Sequence, residues 1–155
     1  MTTLNTPYAA PNFSLVSSDD KRYELSDFKG SWLVLYFYPA DDTPGCTMQA
    51  CSLRDARDEL TALGAKVVGV SMDEPAVHEK FKTKYDLNFV LLSDPRREVI
   101  ESYGAWGKKM FGHEGILRKT FVIDPAGMVR KVFGRATPVG HGEAVVDALK
   151  ALQND

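Results

Sequence analysis

Residues Trp32-Leu33-Val34-Leu35-Tyr36-Phe37-Tyr38 form the most apolar run of the chain. The run is apolar on both of its faces, the pattern of a central strand covered on two sides. A strand of that kind needs helices packed around a sheet, which points to an α/β architecture. Directly after it comes Pro39-Ala40-Asp41-Asp42-Thr43-Pro44-Gly45-Cys46, where the strand ends and a helix begins. The Cys46 thiol therefore falls at a helix start, whose first N–H groups lack intrahelical partners and are partially positive. A cysteine there tends towards thiolate, the form that attacks and is oxidised.

The rest of the chain completes the architecture. Pro11 to Leu25 reads as an N-terminal β-hairpin around a Ser-Ser-Asp-Asp turn. A helix is expected from Pro44 to Ala62, stopped by Gly64. Lys66–Ser71 is the next strand, and Asp73 serves as N-cap of a helix that carries Pro75 in its first turn and runs to Tyr85. Phe89–Leu92 is a short strand, followed by a short helix from Ser93-Asp94-Pro95 to Tyr103. Trp106 to Gly115 reads as glycine-rich and irregular. Thr120–Ile123 and Met128–Phe133 flank the turn Asp124-Pro125-Ala126-Gly127. His141 to Leu152 closes the chain as an amphipathic helix. The expectation is one domain over residues 1–155, a central mixed sheet flanked by helices. Its chemistry should collect beyond the carboxyl ends of the strands, where Cys46 lies.

Bulk properties narrow the function. With 155 residues, 44% apolar and 26% charged, the chain resembles an ordinary globular protein with a sizeable core. A formal charge of −2 gives no electrostatic reason to expect nucleic acid or an anionic membrane as partner. The N-terminus lacks the basic start and apolar core of a signal peptide, and no stretch nears the ~20 apolar residues of a membrane span. A cytoplasmic location follows by default. Two cysteines in a cytosolic protein argue against a structural disulfide and for catalysis, sensing or simple burial.

Cys51 lies five residues beyond Cys46. A mid-helix cysteine is often only a small buried hydrophobe, and that reading stays open for Cys51. A metal site fits poorly, because His78, His113 and His141 are scattered and match no zinc spacing. On an intact helix, positions i and i+5 differ by about 140° and ~7.5 Å, which sets the Cα atoms about 8–9 Å apart. That exceeds the ~7 Å limit for a disulfide. If these thiols bond, the first turns of the helix must unwind, and a helix end is the cheapest part to fray.

Pro39-x-x-x-Thr43-x-x-Cys46 resembles the active-site pattern of the peroxiredoxins. Tyr36-Phe37-Tyr38-Pro39 through Cys46, with Cys51 five residues on, is similar to the bacterioferritin-comigratory-protein (PrxQ) branch. The likeness covers nearly the whole chain. It includes Gly115 to Asp124, where that branch carries its arginine, here Arg118. The resemblance implies a thioredoxin-like fold and reduction of hydrogen peroxide and organic hydroperoxides without metal or flavin. It further implies Cys46 as the peroxidatic cysteine, Cys51 as the resolving one, a monomer, and thioredoxin or a glutaredoxin-like dithiol protein as electron donor.

These residue types suit that chemistry. Arg118 is a permanently charged donor for sulfur and peroxide oxygens. Thr43 can accept the peroxide proton while its own hydroxyl hydrogen bonds onward. The backbone N–H of Gly45 or Cys46 can stabilise developing negative charge, and Pro39 removes a donor and walls water from the sulfur. Asp41 and Asp42 oppose a thiolate if they point inward, so both are expected to face solvent. Trp106 is a candidate for lining the site's mouth, and His113 is assigned no role. The Met110–Gly115 segment is slightly shorter than that branch usually shows. Two alternatives remain: a dithiol–disulfide oxidoreductase, which favours Cys-x-x-Cys spacing, and a redox-responsive interaction module.

Overall fold

The computed structural model describes residues 5–109 and 112–154. The first residues read above for a signal peptide, and Met110 and Phe111 of the shortened segment, lie outside them.

The apolar run forms β4 (Trp32–Phe37), at the heart of an eight-stranded mixed sheet. β4 pairs in parallel with β5 (Ala65–Ser71), and β5 in parallel with β6 (Val90–Ser93). On its other side β4 pairs antiparallel with β9 (Lys119–Ile123), which continues through the expected hairpin to β10 (Met128–Phe133). The N-terminal hairpin is β2 (Ser14–Ser17) with β3 (Arg22–Glu24), and β2 extends the sheet beyond β6. A two-residue strand β1 (Tyr8–Ala9), too short to leave a periodic signal, edges β10.

Side chains along a strand alternate between faces. Leu33, Leu35 and Phe37 enter one apolar cluster, while Val34, Tyr36 and Tyr38 enter another that contains Cys46. The second cluster is closed by α1 (Pro44–Asp55), α2 (Arg57–Ala62), α3 (Pro75–Tyr85) and α5 (His141–Gln153), and the first by α4 (Glu98–Ser102) and neighbouring loops. Each such buried aliphatic or aromatic side chain stabilises the fold by about 1.5–3 kcal/mol. Gly69 of β5 admits the Tyr36 ring; a Cβ there would lie 2.9 Å from it.

Four local expectations need correction. The helix expected over Pro44–Ala62 breaks at Ala56, and the redirected α2 brings Leu60 into the same cluster as Leu53. The N-cap of α3 is Glu74, because the Asp73 carboxylate is taken by Ser71 and by the backbone of Asp41. Ser93 ends β6 instead of starting a helix, and Asp94 reaches forward to accept the N–H of Ile100 in α4. The segment read as irregular contains a two-stranded hairpin, β7 (Trp106–Lys108) with β8 (Glu114–Ile116), too short for periodicity to reveal.

Candidate active site

Cys46 occupies the first turn of α1, behind Pro44 at the start and Thr43 as N-cap, and is 1% exposed. Thr43 does not cap the helix with its side chain. Its hydroxyl donates backwards to the carbonyl of Ala40 at 3.0 Å, leaving the hydroxyl lone pairs open. Pro39 is half-buried at the mouth of β4. Gly45 is close to Arg118: a Cβ on it would lie 3.2 Å from Arg118 Nη2.

Arg118 arrives from across the sheet. Phe37 of β4 pairs with Lys119 of β9, so Arg118, one residue earlier, stands at the end of β4 where Cys46 lies. Its Nη2 donates to Cys46 Sγ at 3.4 Å and its Nη1 to Gln49 Oε1 at 2.7 Å. The planar guanidinium thereby touches the sulfur and the side chain one helical turn later. Gln49 is fully buried and was missed in the sequence. The signal that could have found it is its i+3 spacing from Cys46, which puts both on one helix face.

Cys51 is half-buried on the same helix, and both cysteines are free thiols. Immediately after it, Ser52 Oγ accepts the N–H of Gly142 at 2.7 Å, fastening α1 to the start of α5. Behind Arg118, Thr120 Oγ1 meets His141 Nε2 at 2.9 Å. Burial and the Arg118 charge push His141 down to about 4. Burial, with Arg118 as a second cause, also lowers Lys109.

The two aspartates part company. Asp42 faces solvent as expected, paired with Lys84 Nζ at 2.8 Å and with Tyr85 Oη at 2.7 Å. Asp41 instead turns inward, its side chain 1% exposed, with Oδ2 2.5 Å from Nδ1 of the fully buried His78. The reason is a partner 37 residues away. Burial pushes the phenols of Tyr36 and Tyr38 well up, so both stay protonated, and Tyr38 Oη donates to Asp41 Oδ1 at 2.5 Å. Asp41, Asp73 and His78 bring three ligand-type atoms within 4.8 Å of one another, yet every one of these side chains already has hydrogen-bond partners. Trp106 stacks under Arg97 at 4.1 Å, and His113 is exposed. No helix among the described residues is long and apolar enough to cross a membrane.

A mixed sheet whose central strand delivers a buried thiol to a helix start, beneath a guanidinium, defines a thiol-redox protein of the thioredoxin-like fold. Residues 7–132 match the AhpC/TSA family. The putative peroxiredoxin bcp of Haemophilus influenzae is 42% identical over 155 residues, 98% of this chain and 100% of its own length. Peroxiredoxin Bcp of Bacillus subtilis is 40% identical over 98% of this chain and 97% of its own. Among solved structures, Xanthomonas campestris peroxiredoxin Q superimposes with a TM-score of 0.85 at 36% identity, covering 90% of each chain. A mutant of Xylella fastidiosa PrxQ reaches 0.92 at 30% identity over 99% of each. A further Xanthomonas campestris structure, of the bacterioferritin comigratory protein, concerns its alkyl peroxide reduction activity; its TM-score is 0.86 at 35% identity, over 90% of this chain and 91% of that one. The chain therefore belongs to the AhpC/TSA family, as a peroxiredoxin of the Bcp, or PrxQ, type.

Proposed function

We propose that this peroxiredoxin reduces hydrogen peroxide and organic hydroperoxides through Cys46 and resolves the product with Cys51. The Cys46 thiolate attacks one oxygen of the O–O bond, and the bond electrons leave with the other oxygen as alkoxide or hydroxide. Thr43 accepts the peroxide O–H on its open lone pairs while its own O–H stays donated to the Ala40 carbonyl, which orients the peroxide for attack. Arg118 and the N–H groups of Gly45 and Cys46 stabilise the oxygen that gains charge. Pro39 shields the sulfur. The peroxide proton is relayed to the departing oxygen, which leaves as alcohol or water, and Cys46 is left as a sulfenate that takes a proton from solvent to become sulfenic acid.

The thiol of Cys51 then attacks that sulfur, water leaves, and a Cys46–Cys51 disulfide forms. Unwinding is required first, because the Cα atoms of an intact helix stand about 8–9 Å apart at this spacing, outside disulfide reach. The unwound stretch is Pro44 to Cys51, and it ends at the Ser52–Gly142 hydrogen bond. Two electrons from thioredoxin or a glutaredoxin-like dithiol return both thiols. The chain works as a single cytoplasmic domain and as a monomer.

The observation that carries this reading is Arg118, which addresses both Cys46 and Gln49 from one guanidinium. Hydroperoxide consumption in the presence of a dithiol tests it. Wild type should consume peroxide and Cys46→Ser should not; a Cys46→Ser protein of normal activity rules the mechanism out.

A further inference from the structure

Asp41 lies two residues before Thr43 and five before Cys46, inside the loop that builds the peroxide site. It is anchored twice. Its N–H donates to Asp73 Oδ2 at 2.8 Å, and its carboxylate sits between Tyr38 Oη and His78 Nδ1, each at 2.5 Å. The other ring nitrogen of His78 is 3.0 Å from the Leu92 carbonyl, which can only accept, so Nε2 carries a hydrogen. A contact of 2.5 Å between Nδ1 and Oδ2 needs a second hydrogen between them. Asp41 and His78 together are therefore neutral, whichever atom holds that proton.

We infer that this neutral pair is the positioning device of the Cys46 loop, with His78 holding Asp41 inward and so fixing Thr43 and Gly45 relative to Cys46 and Arg118. An apolar pair of the same volume would be as stable or more so, so the pair supplies geometry. Asp42, the next residue, has a left-handed backbone (φ 58°) and is held from outside by Lys84 and Tyr85 of the same helix α3. The loop is thus clamped to α3 at consecutive residues, one inside and one outside. The titratable groups facing the pair are Tyr38 and Asp73; those around Cys46 are Arg118, Tyr36, Cys51 and Lys109. With His78 lost, the buried Asp41 carboxyl keeps only the Tyr38 hydroxyl and loses the partner that shared its proton, and the loop must turn it to water. Misplacement by about 1 Å costs on the order of 10²-fold in a positioned reaction.

The inference rests on the peroxidase reading, and the test separates the two. In the reduced full chain, the rates of Cys46 with hydrogen peroxide and with iodoacetamide are compared, since alkylation needs a reachable thiolate but not a peroxide held in line by Thr43 and Arg118. His78→Leu should slow peroxide attack by about tenfold or more while alkylation stays within about threefold. Adding Asp41→Asn to His78→Leu replaces the carboxyl that lost its partner by a side chain that cannot ionise and should recover at least about threefold of the peroxide rate. Should His78→Leu not fold, Asp41→Ala makes the same comparison, because it cuts the same anchor from the loop side. Equal losses in both reactions, a peroxide rate within about twofold of wild type, or no recovery from the second substitution would each overturn the inference. A wild-type chain that leaves peroxide unreduced would instead overturn the peroxidase reading itself.

Discussion

Gly142 lies directly on Ser52: its N–H donates to Ser52 Oγ at 2.7 Å, and a Cβ on it would stand 2.9 Å from the Ser52 carbonyl carbon. The start of α5 is therefore bolted to α1 one residue beyond Cys51. The atoms in the way are backbone, which cannot swing aside. Gly142→Ala should destabilise the fold by about 1–3 kcal/mol, as overpacking of a close contact does. A lower midpoint in urea unfolding checks this, and an unchanged midpoint would mean that α5 shifts without cost.

Arg118 reaches Cys46 and Gln49 through separate nitrogens. A lysine keeps the charge but not the fork. Arg118→Ala should lower the second-order rate with hydrogen peroxide by about 10²-fold or more, in line with loss of one preorganised donor. Arg118→Lys should fall between that and wild type. Gln49→Leu should slow the reaction by about tenfold at nearly unchanged stability, because it also removes a buried amide N–H that has no partner among the described residues. Stopped-flow oxidation of the reduced protein reads all three.

Thr43 is exposed, and its hydroxyl already donates to Ala40. Thr43→Val therefore removes the proposed proton acceptor with little change in shape. We expect about a 10²-fold slower peroxide reaction from loss of a positioned proton acceptor, with Thr43→Ser keeping most of the rate. Unfolding midpoints of all three proteins should coincide; a slow but destabilised Thr43→Val would point to loop collapse instead.

His141 is held neutral in the folded state, its pKa lowered from 6.5 to about 4 by burial and by Arg118. Between those values the unfolded chain binds a proton that the folded chain refuses, so stability rises with pH across the window and is lost as pH falls through it. At 1.36 kcal/mol per pKa unit the component is on the order of 3 kcal/mol. His141→Gln keeps a group able to meet Thr120 and cannot titrate. Between pH 7 and pH 4, wild type should lose on the order of 2–3 kcal/mol more than this variant in urea unfolding; parallel losses would contradict the assignment.

Much of this was readable from local chemistry. The unbroken apolar run located β4, Pro44 fixed the start of α1 through its pre-set φ, and Asp124-Pro125-Ala126-Gly127 announced the β9–β10 turn. The family pattern singled out Arg118, which the structure sets against Cys46 although 72 residues separate them. What stayed hidden depends on partners that spacing along one strand or helix does not reveal. Asp41 was expected outside because a lone inward carboxylate opposes a thiolate; His78, on another helix, removes that objection. Gln49 looked like an ordinary helix residue until Arg118 was placed beside it. The break at Ala56 is likewise set by what α1 and α2 pack against, since alanine itself favours helix.

The most direct test is intact-mass analysis of the reduced chain after one equivalent of hydrogen peroxide, with alkylation of whatever thiols remain. The expected product is a protein about two mass units lighter with no alkylated cysteine, and a Cys51→Ser variant should stop as a species one oxygen heavier. A wild-type chain of unchanged mass with both cysteines alkylated would contradict this mechanism.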